Sequence, residues 1–222
     1  MARKLKSMDY IMLLSIFLII SVIVNIYSMV KLNNYKYKIG QQSYIEIEDF
    51  KQKNEINLDI LAKSIEQSSI KNEDLLKLYK NYDAMSSDIM ELWQQYGSYS
   101  QNAIPFFTKN IKTDKVMENE IHGKIKEYAL SLLNKEMKNQ ANKLVLKDDD
   151  LISFKFMYDI SSKISNYFNE FNNKTLNNIT GEEKEKKVIN EYYWIDMLDG
   201  VYKISDDYIN LQWKVESADI AK

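Results

Sequence analysis

The sequence predicts an all-α protein with a single N-terminal transmembrane helix, followed by an elongated, antiparallel bundle of about five helices. Three observations predict this class. Only five glycines and one proline interrupt the 222 residues, and such a shortage of helix breakers favours long helices over loop-rich sheet folds. One long uncharged apolar run lies near the N-terminus. Beyond it, apolar residues recur with the 3.6-residue period of a helix.

The apolar run covers residues 10–30 and contains no charged side chain. About 20 apolar residues in a helix cross the hydrocarbon core of a bilayer, so residues 10–30 are expected to lie in the lipid. The alternative is a cleavable signal peptide. Its apolar core is shorter, about 7–15 residues, and ends at a small-residue A-x-A cleavage site. No such site follows this run, which favours a permanent anchor.

Flanking charges predict the orientation of the anchor. Arg3, Lys4 and Lys6 lie in the tail 1–9, and the positive-inside rule places that tail in the cytoplasm. The rest of the chain is then extracytoplasmic, as in a single-pass protein of the cell membrane. Residues 1–31 hold four basic residues and one acidic residue, so of the net charge of −2 the remainder carries −5. A mildly acidic domain of this kind is not expected to bind nucleic acid.

The remaining chain divides by composition. Two asparagines and a glycine within residues 31–40 predict a flexible juxtamembrane joint. The helical bundle is expected over residues 41–215, with a C-terminal tail at 216–222. Abundant lysine, asparagine, isoleucine and tyrosine are typical of an AT-rich bacterial genome, which suggests a bacterial cell surface. The absence of cysteine excludes disulfides and thiolate metal sites.

Helical periodicity predicts five amphipathic helices, at about residues 41–68, 72–97, 113–146, 148–171 and 180–213. The second has the most regular apolar stripe, with alternating spacings of three and four residues: Leu75, Leu78, Tyr82, Met85, Ile89, Leu92 and Tyr96. This spacing is typical of packing in bundles and coiled coils. Gly97 is expected to end the second helix. Gly200 lies inside the fifth and is expected to bend it or to allow a close helix contact.

Two apolar features are candidate contact surfaces. One is a tetrad in the polar connection between the second and third helices: Ile104, Pro105, Phe106 and Phe107. It could contact lipid headgroups or a partner's membrane segment, or it could plug the end of the bundle. The other is the pair Tyr193 and Trp194 in the fifth helix, where exposed aromatic side chains would form an interface with a partner. Packing inside the bundle is the alternative for this pair.

No catalytic residue, metal site or cofactor is predicted. His122 is the single histidine, so it cannot supply a two-histidine metal site. It could sense pH, but an ordinary position at the surface or boundary of the bundle is favoured. The acidic clusters do not fit a calcium-binding loop. Glycine-rich phosphate loops are absent from the sequence.

These features predict an extracytoplasmic interaction or scaffold module without catalytic activity. Its expected partners are the lipid bilayer, through residues 10–30, and a protein at the membrane or cell surface; a homo-oligomer is also compatible. The alternative is an extracytoplasmic small-molecule sensor or ligand-binding bundle that acts through a partner protein. A sensor needs a pocket with several polar groups. A scaffold needs a filled core, and an enzyme needs adjacent buried titratable groups.

Overall fold

The computed structural model describes residues 7–101, 109, 111, 120–139 and 142–211. In chain order this part contains α1 (Ser7–Glu66), β1 (Ser69–Lys71), α2 (Asn72–Gln101), α3 (Ile121–Asn139), β2 (Lys143–Val145), α4 (Asp148–Lys174), α5 (Gly181–Asn190) and α6 (Tyr193–Asp206). The predicted all-α class, with a long apolar N-terminal helix before a helical bundle, is confirmed. The chain divides into two compact units, Met1–Ile39 and Gly40–Lys222.

The first unit contains the apolar part of α1. The large apolar side chains of residues 10–30 are between 47% and 70% exposed. Within the described residues, this helix is the one long and apolar enough to cross a membrane. Its polar groups can be satisfied locally, since the Ser15 hydroxyl donates to the Ile11 carbonyl at 2.9 Å. That bond removes a polar group that lipid could not solvate.

Residues 31–40, where the sequence suggested a joint, are helical, and α1 continues through them without a break. Asparagine costs a helix less than about 1 kcal/mol and a single glycine about 1 kcal/mol, whereas proline costs about 3 kcal/mol. No proline lies in this segment. The intrinsic penalties are therefore too small to end a helix that continues into a packed domain. The boundary between the two compact units nevertheless falls at Gly40, next to the predicted start of the bundle.

In the second unit, residues 40–66 of α1 pack antiparallel to α2. The Ser43 hydroxyl donates to the Gln95 side chain at 2.5 Å. Further along α1, the Asn57 side chain accepts from the Asn81 amide at 2.7 Å. As the residue number rises along α1, the residue number of the contacting side chain in α2 falls. The two helices are therefore antiparallel.

Helix α4 covers another side of α1, and α6 in turn packs on α4. The Asn54 amide donates to the Ser161 carbonyl at 2.9 Å, which joins α1 to α4. The Tyr167 hydroxyl donates to the Asp196 carbonyl at 2.7 Å, and Tyr208 donates to Asp159. These last two contacts show that α4 and α6 are antiparallel.

Helix α3 lies antiparallel to α2, and two short strands close the far end of this pair. Lys126 and Asp83 form an ion pair at 3.5 Å. Strands β1 and β2 are antiparallel, with the buried side chain of Ile70 opposite that of Leu144. The third helix was expected to reach residue 146, but residues 143–145 form a strand. The reason is that backbone pairing with residues 69–71 replaces helical hydrogen bonds there.

Two further helix boundaries differ from the sequence prediction. Helix α2 passes Gly97 and ends at Gln101, because the burial of Tyr99 offsets the cost of about 1 kcal/mol for one helical glycine. The predicted fifth helix is interrupted at Tyr192, which has φ 54° and a left-handed backbone. Tyr192 and Trp194 both contact the Tyr99 ring, at 5.0 and 5.8 Å. In a continuous helix, side chains two residues apart point to opposite sides, so the break allows both contacts.

Candidate functional site

The structure describes the predicted aromatic pair but not the predicted apolar tetrad. The tetrad Ile104, Pro105, Phe106 and Phe107 lies outside the described residues. Tyr193 is partly exposed, with its ring 5.7 Å from that of Phe171 and the Lys109 Nζ 4.9 Å from its centroid. Trp194 is 0% exposed. Trp194 is part of the core, because the break in the helix at Tyr192 turns its side chain inward. It therefore does not have the exposed position that an aromatic interface requires.

His122 is buried in the centre of the bundle rather than at its surface or boundary. The side chain is 1% exposed and lies in the first turn of α3. The Phe50 ring meets the imidazole edge-on at 5.1 Å, and the Tyr82 ring lies 6.3 Å away. Burial lowers the pKa of His122 to about 3, because the interior disfavours the charged form. His122 is therefore neutral near physiological pH and does not titrate there.

Glu120 precedes α3 and stands beside His122. Its Oε2 accepts a hydrogen bond from the Gly123 backbone N–H at 2.7 Å, as an N-terminal cap does. Its Oε1 lies 3.8 Å from His122 Nδ1. Burial raises the pKa of Glu120, and the Gly123 N–H opposes that rise. The pairing of these two side chains could not be predicted from the sequence, because the placement of Glu120 depends on how α3 begins.

The space beside His122 limits what this pair can do. A cavity of about 10 Å³, which Ser205 and Trp93 also line, adjoins the histidine. That volume holds about one water molecule, and no organic substrate fits. In the described part of the chain, His122 Nε2 has no hydrogen-bond partner. Glu120 and His122 are two adjacent titratable groups, but this cavity beside them is too small for an organic substrate.

A second polar cluster joins α1 to α2. Lys53 forms ion pairs with Asp49 and with Asp88, the latter at 3.5 Å. Burial, followed by the charges of Glu91 and Asp88, raises the pKa of Glu46 to about 7. Among the described residues, no group of three or more His, Cys, Asp or Glu side chains is arranged to hold a metal ion. The cluster therefore joins α1 to α2 through charged side chains, with the Lys53 ammonium between Asp49 and Asp88.

A surface cleft of about 570 Å³ lies between the end of α3, strand β2 and the start of α4. Charged side chains of both signs line it: Lys135, Lys143, Lys147, Glu136, Asp148, Asp149 and Asp150. Leu132, Leu144 and Val145 supply apolar surface. The arrangement places a nearly balanced set of charges around an apolar wall.

Individual contacts distinguish the acidic groups of this cleft. The Tyr128 hydroxyl donates to Asp150 Oδ1 at 2.7 Å, which gives one oxygen of that carboxylate a partner. Glu136 is only 5% exposed although it lines the cleft. The sequence correctly predicted that the fourth helix begins at Asp148. It did not indicate the cleft, since strand β2 forms part of its wall and was not predicted.

Comparison with known proteins adds no relative to this description. No protein-family model, curated protein or solved structure matches the chain significantly. A fold by itself does not specify an activity, so the evidence on function lies in the geometry of these sites.

Proposed function

We propose that this chain is a membrane-tethered, non-catalytic interaction module whose helical domain lies on the extracytoplasmic side of a bacterial cell membrane. The observation that carries the proposal is the exposed apolar segment 10–30, which is continuous with the helix that enters the bundle. Each large apolar side chain moved out of water contributes about 1.5–3 kcal/mol. A segment of this length therefore has a strong preference for lipid.

The filled interior supports a role in binding a partner rather than in catalysis. Beside His122 the cavity holds about one water molecule, so chemistry inside the bundle is disfavoured. Apolar side chains remain on the surface instead. Ile152 and Phe156 are 51% and 39% exposed and stand four residues apart on one face of α4. Such a pair suits an apolar anchor on a partner protein.

The tether is tested by membrane fractionation. Arginines introduced together as Leu18→Arg and Ile20→Arg should release the protein from the membrane fraction, because each costs about 2.5–3.5 kcal/mol at the centre of a bilayer helix. The control is Leu76→Arg, at a 42% exposed position of α2, which should stay in the membrane. A native chain that alkaline carbonate washes off membranes would contradict the tether.

The orientation is tested with single cysteines, since the chain contains none. Lys174→Cys, at a position where the lysine side chain is 74% exposed, should react with a membrane-impermeant thiol reagent in intact cells. Ala2→Cys in the N-terminal tail should react only after the cells are lysed. The reverse labelling pattern would refute the extracytoplasmic placement of the domain.

Partner binding is tested by site-specific photo-crosslinking in native membranes. A photoreactive residue at position 156 should yield a discrete crosslinked product that Ile152→Ser abolishes. The same residue at position 174 provides the control, because it lies at the opposite end of α4. Equal products from the two positions, or none from position 156, would refute docking at Ile152 and Phe156.

A second function has an observation of its own. The cleft between α3, β2 and α4 has a volume of about 570 Å³, which is within the usual range of small-molecule sites. A ligand-binding bundle that signals through a partner protein is therefore the second candidate. Binding at the cleft and docking at α4 are separate properties, and one can exist without the other.

A further inference from the structure

We infer that the cleft between α3, β2 and α4 binds a small zwitterion of the apolar α-amino-acid type, with its ammonium group on Glu136 and its carboxylate on Lys143 and Lys147. This inference rests on the second candidate function. It concerns the class of ligand, and it is independent of the membrane tether.

Glu136 is the first observation that points to a ligand. The residue is 5% exposed and lines the cleft. Within the described part of the chain, no hydrogen bond or ion pair reaches its carboxylate, in contrast to Asp150, which accepts from Tyr128. A carboxylate that lines an open cleft and has no protein partner is available to a hydrogen-bond donor on a ligand. An ammonium group donates up to three hydrogen bonds and would satisfy it.

The lysines of the cleft provide the second half of the site. Lys135 and Asp149 already take part in other interactions, and Asp150 accepts a hydrogen bond from Tyr128 through one of its oxygens. Lys143 and Lys147 flank the remaining opening from β2 and from the residue before α4. Lysine binds carboxylates as a point charge with three donors. The two lysines therefore suit the carboxylate of a ligand whose ammonium reaches Glu136.

Charge balance and apolar surface define the ligand further. The lining contains three lysines and four carboxylates, so a ligand with a large net charge of either sign would meet nearly as much repulsion as attraction. A zwitterion meets attraction at both ends. Leu132 and Val145 contribute apolar surface between the charges, and Val145 is 47% exposed. An apolar side chain on the ligand would cover that surface.

The experiment measures binding to the full chain in detergent, by calorimetry and by the shift in its unfolding temperature. L-leucine is the probe. The comparison compounds are 3-methylbutylamine, which lacks the carboxylate, and 4-methylpentanoate, which lacks the amine. Leucine should bind and raise the unfolding temperature. Each comparison compound should bind at least about tenfold more weakly, since each loses one set of charge-assisted hydrogen bonds.

Variants locate the binding. Glu136→Gln, and the double change Lys143→Gln with Lys147→Gln, should each weaken leucine binding at least about tenfold. The matched control is Glu170→Gln, which changes a carboxylate with 65% exposure outside the cleft and should leave binding unchanged. Far-UV circular dichroism of each variant shows whether it is folded. Leucine binding that is unaffected by both cleft variants would overturn the site.

The remaining outcomes separate the ligand class from the function. If 3-methylbutylamine binds as tightly as leucine and Glu136→Gln abolishes both, the zwitterion is refuted while a ligand-binding cleft stands. If neither leucine nor 3-methylbutylamine binds, and the other common α-amino acids, tested one by one, leave the unfolding temperature unchanged, the proposed ligand class falls. The second candidate function does not fall with it, because it is not limited to amino acids.

Discussion

Gly200 gives the sharpest test of how α6 packs on α4. A Cβ atom at position 200 would overlap the ring of Tyr167. That ring lies 5.6 and 6.0 Å from the rings of Phe168 and Phe171, and its hydroxyl donates to the Asp196 carbonyl. Glycine is therefore required for space, because its absence of a side chain lets the two helices approach.

The effect of Gly200→Ala follows from three terms. Alanine is better than glycine in a helix interior by up to about 1 kcal/mol. Displacing the packed tyrosine costs about 1–3 kcal/mol, and loss of the Tyr167 hydrogen bond costs about 0.5–1.5 kcal/mol. The steric terms exceed the gain in helix propensity. The variant should be less stable than the native chain by about 2 kcal/mol.

Gly97→Ala provides the matched control, since nothing lies within 4 Å of a Cβ at position 97 in α2. That change should stabilise the protein by up to about 1 kcal/mol through helix propensity alone. Urea unfolding of the full chain in detergent, followed by tryptophan fluorescence, measures both variants. In a Tyr167→Ala background the overlap is removed, so Gly200→Ala should become neutral or stabilising. An equal cost of Gly200→Ala in both backgrounds would refute the packing explanation.

Three further predictions concern titration and packing. Burial lowers the pKa of His122 to about 3, so its contribution to stability is present above pH 6.5 and is lost as the pH falls toward 3, because only the unfolded chain takes up the proton. When the pH falls from 7 to 5.5, the free energy of unfolding should decrease by about 1 kcal/mol more in the native protein than in His122→Phe. Equal decreases in the two proteins, measured by urea titration, would contradict this. The pKa of Glu46 is raised from 4.5 to about 7 in the folded protein. Its protonated carboxyl therefore contributes to the free energy of unfolding below pH 4.5, and this contribution is lost as the pH rises through 7. Glu46→Gln should therefore stabilise the protein at pH 8, by about 1 kcal/mol after solvent screening, and have little effect at pH 5; the same gain at both pH values would exclude titration as its cause. Ile70→Ala should cost about 2–5 kcal/mol because the side chain is 2% exposed, whereas the exposed Ile152→Ala should change stability by less than about 0.5 kcal/mol; thermal unfolding compares the two.

Sequence periodicity predicted the core of α2 well. All seven members of its apolar stripe, from Leu75 to Tyr96, are buried. The prediction is confirmed because α2 has neighbours along one continuous side. On such a helix, a 3.6-residue period of apolar residues indicates the buried side directly. The same period predicts a buried Met137 in the third helix, and this prediction is wrong, because that side chain is 74% exposed. Near the end of α3 the neighbouring surface changes from a helix to strand β2, so the helical period no longer indicates which side is covered.

The features that the sequence did not predict depend on contacts between distant segments. A three-residue strand such as β1 is too short to show an alternating pattern, and its pairing with β2 joins residues more than 70 positions apart. The left-handed backbone of Tyr192 has no local signal, because tyrosine does not favour that conformation. The cleft around Glu136 follows from β2, so it could not be predicted without the strand pair.

The polar groups inside the bundle explain why the helices adopt one register. An apolar stripe with spacings of three and four residues packs nearly as well after a shift of one heptad. Such a shift would separate the Asn54 amide from the Ser161 carbonyl, and the Tyr82 hydroxyl from the Ser161 hydroxyl, which lie 2.9 and 3.3 Å apart. Each buried group left unpaired costs about 1–3 kcal/mol. Asn54 Oδ1 has no partner among the described residues, so this layer is not arranged for greatest stability. We infer that it instead selects one alignment of α1, α2 and α4, since only that alignment satisfies both contacts to Ser161.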